Sequence, residues 1–229
     1  MIYIGLDDTD NLDSRGTGHL ARGIAEQLVS EFSLLGVTRH QLLVDPRIRY
    51  TAKNSCAAIC LDDGSELDLE DLLERVSGMM SAEFVTGSDP GLCVANAATA
   101  QEMTPFGQRA QREVLSQVEA LRLAGKYGAL LQPLGGDGSG VIGALAAVGL
   151  AASGDDGRYV QIGRSRQLSG MLEVSQIIDA GILSVQTLDG QPVRSGLVLA
   201  DKLRPSRRCA QAILYVEWVG DHWQPLKLD

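Results

Sequence analysis

The residues best suited to chemistry stand directly after the first apolar segment of the chain. Residues 2–6 (IYIGL) form a short run of β-formers, and Asp7, Asp8 and Asp10 follow it at once. Like charges this close disfavour one another's ionised forms, whereas Mg²⁺ accepts one or two carboxylates together with phosphate oxygens. The spacing therefore predicts a metal site on these aspartates, and the alternative is an acidic, solvated turn.

A second candidate site is the glycine-rich segment 133–140 (PLGGDGSG), which precedes a helical run of small residues. Glycines let backbone amides approach a ligand, and a helix N-terminus adds partial positive charge, so the combination favours phosphate. No Lys-Ser/Thr pair follows, so this is not a standard P-loop. Alone, the segment is equally explained as a turn. Together with the acidic cluster, it supplies the second half of a nucleoside triphosphate site.

Several cations are candidates for contacting transferred phosphate groups, because charge-assisted hydrogen bonds stabilise such charge. They are Arg15, Arg47, Arg49 and Lys53. The alternative for each is an ordinary surface charge. A Ser-His-Asp or Cys-His catalytic site is not indicated, since neither His19 nor Cys56 lies in a nucleophile signature.

Composition limits the class of protein. The 229 residues are 45% hydrophobic with a mean hydropathy of +0.02, which predicts a globular fold of one large or two small domains. A net charge of −9 disfavours broad, sequence-independent attraction to nucleic acid or anionic membranes. No apolar run has membrane-spanning length, and the chain starts in a strand rather than a signal peptide.

The four cysteines form no CxxC pair and the three histidines are scattered, so neither a zinc site nor a disulfide framework is indicated. Buried, reduced thiols in a cytoplasmic protein are expected instead.

Alternating strand and helix patterns must position these groups. Thr17 is expected to cap a first helix that starts near Gly18 and keeps an apolar face as far as Gly36. The predicted strands are 2–6, 41–44, 55–61, 92–95, 159–162 and 212–218, with β-hairpin strands over 182–202. The further predicted helices are 68–80, 106–123, 141–149 and 174–179.

Four segments resemble, in order, motifs of the archaeal tRNA-Ile2 agmatidine synthase family. These proteins, also called tRNA(Ile2) 2-agmatinylcytidine synthetases, are ATP-dependent ligases that join agmatine to the anticodon cytidine. The segments are GLDDTD at 5–10, DPRI at 45–48 with Tyr50 and Lys53 beyond it, DPGL at 89–92, and GSGVIGALAAVG at 138–149. They extend over about the first 150 residues and match the family's kinase-like catalytic domain. Residues 212–217 faintly resemble the ferredoxin-like domain that follows it.

The resemblance implies a mixed α/β (α+β) fold with two domains. Residues 1–152 would form a kinase-like α/β domain that binds ATP and Mg²⁺, and 153–229 a smaller ferredoxin-like α+β domain. The implied catalytic residues are Asp7, Asp8, Thr17 and Lys53, and the implied Mg²⁺ ligands are Asp7, Asp8 and Asp10. The implied ATP-binding residues are Gly135, Gly136, Asp137, Gly138, Ser139, Gly140, Arg15 and Arg47.

Some positions depart from the family pattern. Gly16 replaces a cysteine, Thr51 a lysine and Ser139 an arginine, while Lys53 keeps an arginine's charge without its bidentate fork. No segment resembles the family's OB fold or zinc ribbon. Two functions therefore stay open. One is a Mg²⁺-dependent, ATP-using phosphotransferase or ligase that acts on a small molecule or an RNA nucleoside. The other is a nucleotide-binding regulatory or adaptor protein without turnover.

The partners expected from charge are limited. Weak or no binding to bulk tRNA is predicted, with a cleft sized for a small nucleophile or a short single-stranded RNA element, and a partner subunit is a further candidate. RNA contacts would need two cationic groups, which form a continuous track only if both domains border one cleft. The first is the group of Arg47, Arg49 and Lys53, and the second is Arg204, Arg207 and Arg208.

Overall fold

A computed structural model describes residues 1–10, 16–50, 53–62, 68–85 and 87–228. The predicted ATP-binding residue Arg15 and the substituted position Thr51 lie outside the described residues. The predicted mixed α/β class is confirmed: in the described part, seven helices pack on a large sheet.

The secondary structure elements follow in chain order. The strands are β1 Ile2–Asp7, β2 Ser33–Gln41, β3 Ser55–Asp62, β4 Gly91–Asn96, β5 Leu130–Pro133, β6 Arg158–Gln161, β7 Met171–Glu173, β8 Ser184–Gln186, β9 Leu197–Leu199, β10 Ser206–Arg208, β11 Gln211–Trp218 and β12 Trp223–Pro225. The helices are α1 Thr17–Leu28, α2 Leu69–Glu83, α3 Ala97–Glu102, α4 Thr104–Ala110, α5 Gln117–Tyr127, α6 Gly140–Ser153 and α7 Val174–Asp179, with a 3₁₀ turn at Ser165–Gln167.

The sheet is organised around β1, which pairs antiparallel with β3 and with β4. The strand order is β5-β4-β1-β3-β2-β6-β10-β11-β12-β9-β7, and β8 pairs with β11. Alternate residues of β1 face opposite layers: Ile4 and Leu6 pack with α1 and α2, whereas Tyr3 lies in the cluster that includes α6. Burial on both faces explains why β1 reads as a continuous apolar run.

Helix α6 lies directly against β1 because its small residues permit close approach. A Cβ on Gly5 of β1 would overlap the carbonyl of Ala144, and a Cβ on Gly140 would overlap the carbonyl of Asp89. Only glycine fits where two backbones come this close. The helix N-terminus is thereby fixed beside the ends of β1 and β4, where the aspartates stand.

The C-terminal part adds a third apolar cluster, whose members include Val174, Ile177, Val185 and Leu214. The sheet continues into it, because β6 pairs with β2 on one side and with β10 on the other. The predicted boundary near residue 152 is bridged by the pairing of β6 with β2 and by a hydrogen bond that Arg207 Nη2 donates to the Ala151 carbonyl at 2.9 Å. The division into domains 1–152 and 153–229 stays a prediction.

Two helix predictions are wrong. The first helix ends at Leu28, and Leu34 and Leu35 belong to β2, because pairing with β3 along the whole strand outweighs the local apolar pattern. The long helix predicted over 106–123 is two helices, separated at residues 111–116. Ser116 caps the second one by accepting a hydrogen bond from the Glu119 amide.

Some strand predictions are wrong, including the one over 41–44, of which only Gln41 belongs to a strand. β5 went unpredicted, although it pairs with β4. Within residues 182–202, hairpin pairing is limited to an isolated antiparallel bridge between Gln186 and Pro192, whereas β8 is parallel to β11 and β9 pairs with β7 and β12. The thiols of Cys56, Cys60 and Cys93 are buried as predicted, but Cys209 is exposed in the turn after β10. Within the described ranges, no helix has the length and apolar character that a membrane crossing requires.

Candidate functional site

A cleft of about 280 Å³ opens where the end of β1 meets the N-terminus of α6 and residues 47–50 and 53–55. Most of the predicted site residues line it, namely Asp7, Asp8, Asp10, Arg47, Lys53, Asp137, Ser139 and Gly140. Its volume is close to the lower end of the range for ligand pockets. The structure therefore places the acidic cluster, the glycine-rich loop and the cations around one cavity.

The first two aspartates are held in an electrostatically unfavourable setting. Burial, followed by the charge of Asp8, raises the pKa of Asp7 well above its usual range. Burial, together with Asp89 and Asp10, raises the pKa of Asp8 to about 6, and Arg49 opposes this shift. Asp8 also has a φ of +50°, in the left-handed region that costs energy for residues other than glycine.

The carboxylate of Asp7 is held against α6. A Cβ on Gly143 would overlap this carboxylate, so glycine is required there. In the part of the chain that is described, no three His, Cys, Asp or Glu side chains converge closely enough to hold a metal ion. The site of three aspartate ligands predicted from sequence stays a prediction.

A chain of hydroxyl groups connects the acidic end of β1 to α1. Thr9 Oγ1 donates to Thr17 Oγ1 at 3.2 Å, and Thr17 Oγ1 donates to Asp10 Oδ1 at 3.1 Å. The predicted cap is wrong, because Gly16 occupies the N-cap position and Thr17 is the first residue of α1. Thr17 is buried and orients Asp10, and it is not among the residues that line the cleft.

The loop before α6 already uses several of its amides. The amide of Asp137 donates to Asp89 Oδ1 at 2.6 Å, that of Ser139 to Asp137 Oδ1 at 2.8 Å, and that of Gly140 to the Asp89 carbonyl at 3.0 Å. The predicted phosphate cradle is thus occupied at these amides by protein oxygens. A phosphate that bound there would have to displace the carboxylates of Asp89 and Asp137.

The other glycines of the predicted cradle lie behind this network. Gly136 has a φ of +61° and packs against the Asp89 carboxylate, and Gly135 lies near Phe84 and Pro90. Gly138 has a φ of +81° and faces Pro133. None of the three glycines is among the residues that line the cleft. They shape the loop around Asp89.

Asp89 is a residue that the sequence analysis quoted only as part of a turn motif. It is 3% exposed, and its Oδ2 lies 3.2 Å from Arg49 Nη1 without hydrogen-bond geometry. Arg49 also donates to the Gly87 carbonyl at 3.3 Å. The signal available in the sequence was the DPG turn preceding β4, which places a carboxylate beside the glycine-rich loop.

The cations around the cleft differ in how they are used. Arg47 is exposed and forms a bidentate pair with Asp45, with both contacts at 2.8 Å, which lowers the pKa of Asp45 to about 2. Arg49 contacts Gly87 and Asp89 in the turn before β4, although Arg47 was the predicted ATP-binding residue. Lys53 is exposed at the edge of the cleft.

The second predicted cationic group is not a surface cluster. Arg207 is 4% exposed and donates to the Ala151 carbonyl at 2.9 Å and to the Tyr159 hydroxyl at 2.6 Å. Its prediction as an RNA contact is wrong, because the side chain is used inside the protein. Arg204 and Arg208 are half-buried.

The chain is similar to tRNA(Ile2) 2-agmatinylcytidine synthetase TiaS of Archaeoglobus fulgidus, with 30% identity over 153 residues. The match covers 65% of this chain and 35% of that protein, so the chain spans about a third of the length of this curated relative. No protein-family model matches the chain.

Solved structures agree with this similarity. A complex of TiaS with tRNA(Ile2) and ATP has a TM-score of 0.56 at 28% identity, covering 65% of this chain and 36% of that one. A complex of TiaS with tRNA(Ile2), AMPCPP and agmatine has a TM-score of 0.55 at 27% identity, with the same coverage. The family resemblance that the sequence motifs indicated is therefore confirmed over about two thirds of the chain.

Proposed function

We propose that this chain is a Mg²⁺-dependent, ATP-using ligase or transferase of the TiaS type, with its nucleotide site in the cleft between β1 and α6. The observation that carries the proposal is the convergence of the acidic strand end, the loop before α6 and Arg49 on one cavity. Relatives of the same fold have been solved with ATP and with AMPCPP. The match to those relatives covers 65% of this chain and 36% of theirs.

The residues at the end of β1 suit a magnesium ion. Asp7 and Asp8 hold partly buried, mutually repelling carboxylates, and a cation would relieve that repulsion. Mg²⁺ usually accepts one or two carboxylates and completes its coordination with phosphate oxygens, which suits Asp7 and Asp8 beside a bound triphosphate. When bound, the ion would neutralise part of the negative charge of the phosphates.

The protein's own groups would mainly position the triphosphate and balance its charge. Arg49 is placed between Asp8 and the loop, so it can move from Asp89 to an incoming phosphate. The phosphate would then replace the Asp89 and Asp137 carboxylates at the amides of Asp137 and Ser139. Arg47 and Lys53 are exposed lining residues of the cleft and would contact an acceptor nucleophile as it enters.

The first test is calorimetric titration of ATP with and without Mg²⁺. Wild-type protein is expected to bind Mg²⁺–ATP at least tenfold more tightly than ATP alone. Asp8→Asn and Arg49→Gln are each expected to weaken binding at least tenfold. Asp179→Asn, an exposed aspartate at the end of α7, is the matched control and should bind as wild type does. No binding at millimolar ATP, or unchanged binding by Asp8→Asn, would refute the proposal.

A second candidate is a nucleotide-binding regulatory or adaptor protein without turnover. The occupied amides and Ser139, at the position of a family arginine, favour it, since loss of an arginine clamp can cost several orders of magnitude in rate. Release of ADP with any acceptor in a panel of amines, nucleosides and RNAs would eliminate this candidate. Tight Mg²⁺–ATP binding with no ADP release across the panel would favour it over the enzyme.

The relatives also suggest which substrates the ATP-using site would join. TiaS has been solved with tRNA(Ile2) and agmatine, so we propose an RNA nucleoside as one substrate and a small amine as the other. The weak tRNA binding predicted from net charge finds no support in these relatives. A cleft of this size fits a small nucleophile or a single nucleotide rather than a folded RNA, so RNA contacts have to come from outside the cleft.

A further inference from the structure

A second cavity lies in the C-terminal part of the chain and shares no lining residue with the cleft beside β1. Its volume is about 400 Å³, which is within the range for ligand pockets. The lining includes the buried side chains of Val174, Val185 and Val193. We call it the α7 cavity, because residues of α7 form one part of the lining and residues 183–185 and 192–194 form the rest. The proposed nucleotide site makes no use of it.

Large apolar side chains are exposed around the α7 cavity. Ile178 and Leu183 line it and are 37% and 53% exposed. Leu188, in the turn that follows β8, is 63% exposed. A single exposed apolar residue is ordinary in a soluble protein. Three of them close together in the chain, beside an apolar cavity, indicate a surface that another protein covers.

Leu188 is held at the tip of a closed turn. The Thr187 amide donates to the Gln191 carbonyl at 3.0 Å, which joins the two ends of the turn. The chain then continues directly into the lining of the α7 cavity, where the Val193 amide donates to the Val185 carbonyl at 2.8 Å. One surface therefore carries both an exposed apolar tip and an apolar cavity with room for a branched aliphatic side chain.

The charges beside the tip and beside the cavity have opposite signs. Asp189 follows Leu188 in the turn and is exposed. Arg194 lines the α7 cavity and is exposed, and in the described part of the chain its side chain forms no hydrogen bond or ion pair. Between two copies of the chain, these two groups would attract each other. The surface is therefore complementary to itself in charge as well as in apolar character.

We propose that the α7 cavity docks a second copy of this chain, with Leu188 of each copy inserted into the cavity of the other. Such a pair has two-fold symmetry, so one surface serves both partners and every contact occurs twice. Asp189 then lies toward Arg194 and away from Asp179, the other charged lining residue, because like charges repel. Docking removes the exposed apolar side chains from water. This inference is independent of the proposed function.

The first test measures self-association by sedimentation equilibrium over about 1 to 200 µM chain. The wild type is expected to reach twice the chain mass of 24.4 kDa, with a Kd in the micromolar range because the apolar surface is small. Leu188→Gln should weaken association about 100-fold, since symmetry removes the buried leucine twice. Leu121→Gln, at an exposed leucine of α5, is the matched control and should change the Kd less than threefold.

The second test reverses the two charges in separate proteins. Arg194→Glu and Asp189→Lys each bring like charges together at both contacts, so each is expected to weaken association at least 30-fold. An equal mixture of the two variants should dimerise about as tightly as the wild type, because both contacts of the mixed pair then join opposite charges. Arg122→Glu, at an exposed arginine of α5, should associate as the wild type does.

Loss of the dimer in Leu188→Gln and its recovery in the mixture of charge variants would support the proposal. A wild type that stays monomeric at every concentration would overturn it and leave the α7 cavity to a small apolar ligand or a different protein. Equal weakening by Leu188→Gln and Leu121→Gln, or a mixture of charge variants that stays monomeric, would also overturn it.

Discussion

The two ends of α6 treat buried polar groups in opposite ways. At the N-terminal end, Asp7, Asp8 and Asp89 are brought together with Arg49 as the nearby cation, and two of these carboxyls have raised pKa values. At the C-terminal end, buried polar groups are matched with partners from distant segments. The carboxylates at the N-terminal end repel one another, whereas the polar groups at the C-terminal end are hydrogen-bonded.

The C-terminal end is held by Arg207 and by His40. Arg207 donates to the Ala151 carbonyl of α6 and lies over the ring of Tyr159 at 5.6 Å. His40 is fully buried, with Nδ1 2.7 Å from Asp156 Oδ1 and Nε2 2.8 Å from Thr38 Oγ1. These contacts satisfy the end of the helix and the turn that follows it.

The difference shows where a ligand is needed. A group whose partners come from the protein contributes to stability, whereas a cluster of like charges gains its partner only when a cation or a cationic complex binds. Loss of a group at the C-terminal end should therefore reduce stability. Loss of one at the N-terminal end should reduce binding, and can increase stability.

The largest effect is expected from Arg207→Met. The substitution removes the donor that the Ala151 carbonyl and the Tyr159 hydroxyl share, so the free energy of unfolding should fall by about 3 kcal/mol. Urea denaturation measures it. Arg208→Met removes two hydrogen bonds from a half-buried side chain, to the carbonyls of Arg207 at 2.7 Å and Asp155 at 3.5 Å, and should cost less than about 1 kcal/mol. If Arg207→Met is as stable as wild type, Arg207 does not hold the C-terminal end of α6 in place.

The second effect concerns the opposite end. Gly143→Ala drives a methyl group into the Asp7 carboxylate, so Mg²⁺–ATP affinity should fall about 30-fold, or about 2 kcal/mol. Gly78→Ala in α2, where a Cβ meets nothing within 4 Å, should leave affinity unchanged and raise stability by about 0.5 to 1 kcal/mol. Equal ATP affinity in both variants would contradict the placement of Asp7 in the binding site.

The third effect is a dependence of stability on pH. Burial lowers the pKa of His40, and its Asp156 hydrogen bond opposes this only in part. Below pH 6.5 the unfolded chain takes up a proton that the folded chain does not, so stability should fall, by about 1 kcal/mol between pH 7 and 5.5. Subtracting the profile of His40→Gln from that of wild type isolates this contribution. A difference that grows in favour of the wild type as pH falls would indicate a charged His40.

The sequence predicts one end of α6 much better than the other. The aspartates after β1 and the glycines before α6 are local patterns, so each could be found without knowing its neighbours. The contact between His40 and Asp156 joins residues 116 positions apart, and nothing near either of them indicates the other. The buried role of Arg207 was hidden for the same reason, since an arginine beside Arg208 resembles a surface patch.

Within the N-terminal end, the sequence could identify residue types but not their contacts. It could not show that Arg47 would pair with its neighbour Asp45 while Arg49 reaches Asp89, because that choice depends on how the segment turns. It also could not show that the Asp89 carboxylate accepts from the Asp137 amide, which was predicted to bind phosphate, since the two residues are 48 positions apart.

The most direct test of the central claim is thermal unfolding of Asp8→Asn with and without Mg²⁺–ATP at pH 8. The pKa of Asp8 is raised to about 6 in the folded protein, so folded chains bind more protons between pH 4 and 6 and ionisation above that range costs stability. Asparagine removes this cost, which partial exposure limits to about 1 kcal/mol, and it tolerates the positive φ. We predict a higher melting temperature than wild type without ligand and no further rise with Mg²⁺–ATP, while wild type and Asp179→Asn are both stabilised by it. A variant that melts no higher than wild type and still gains stability from Mg²⁺–ATP would contradict the account.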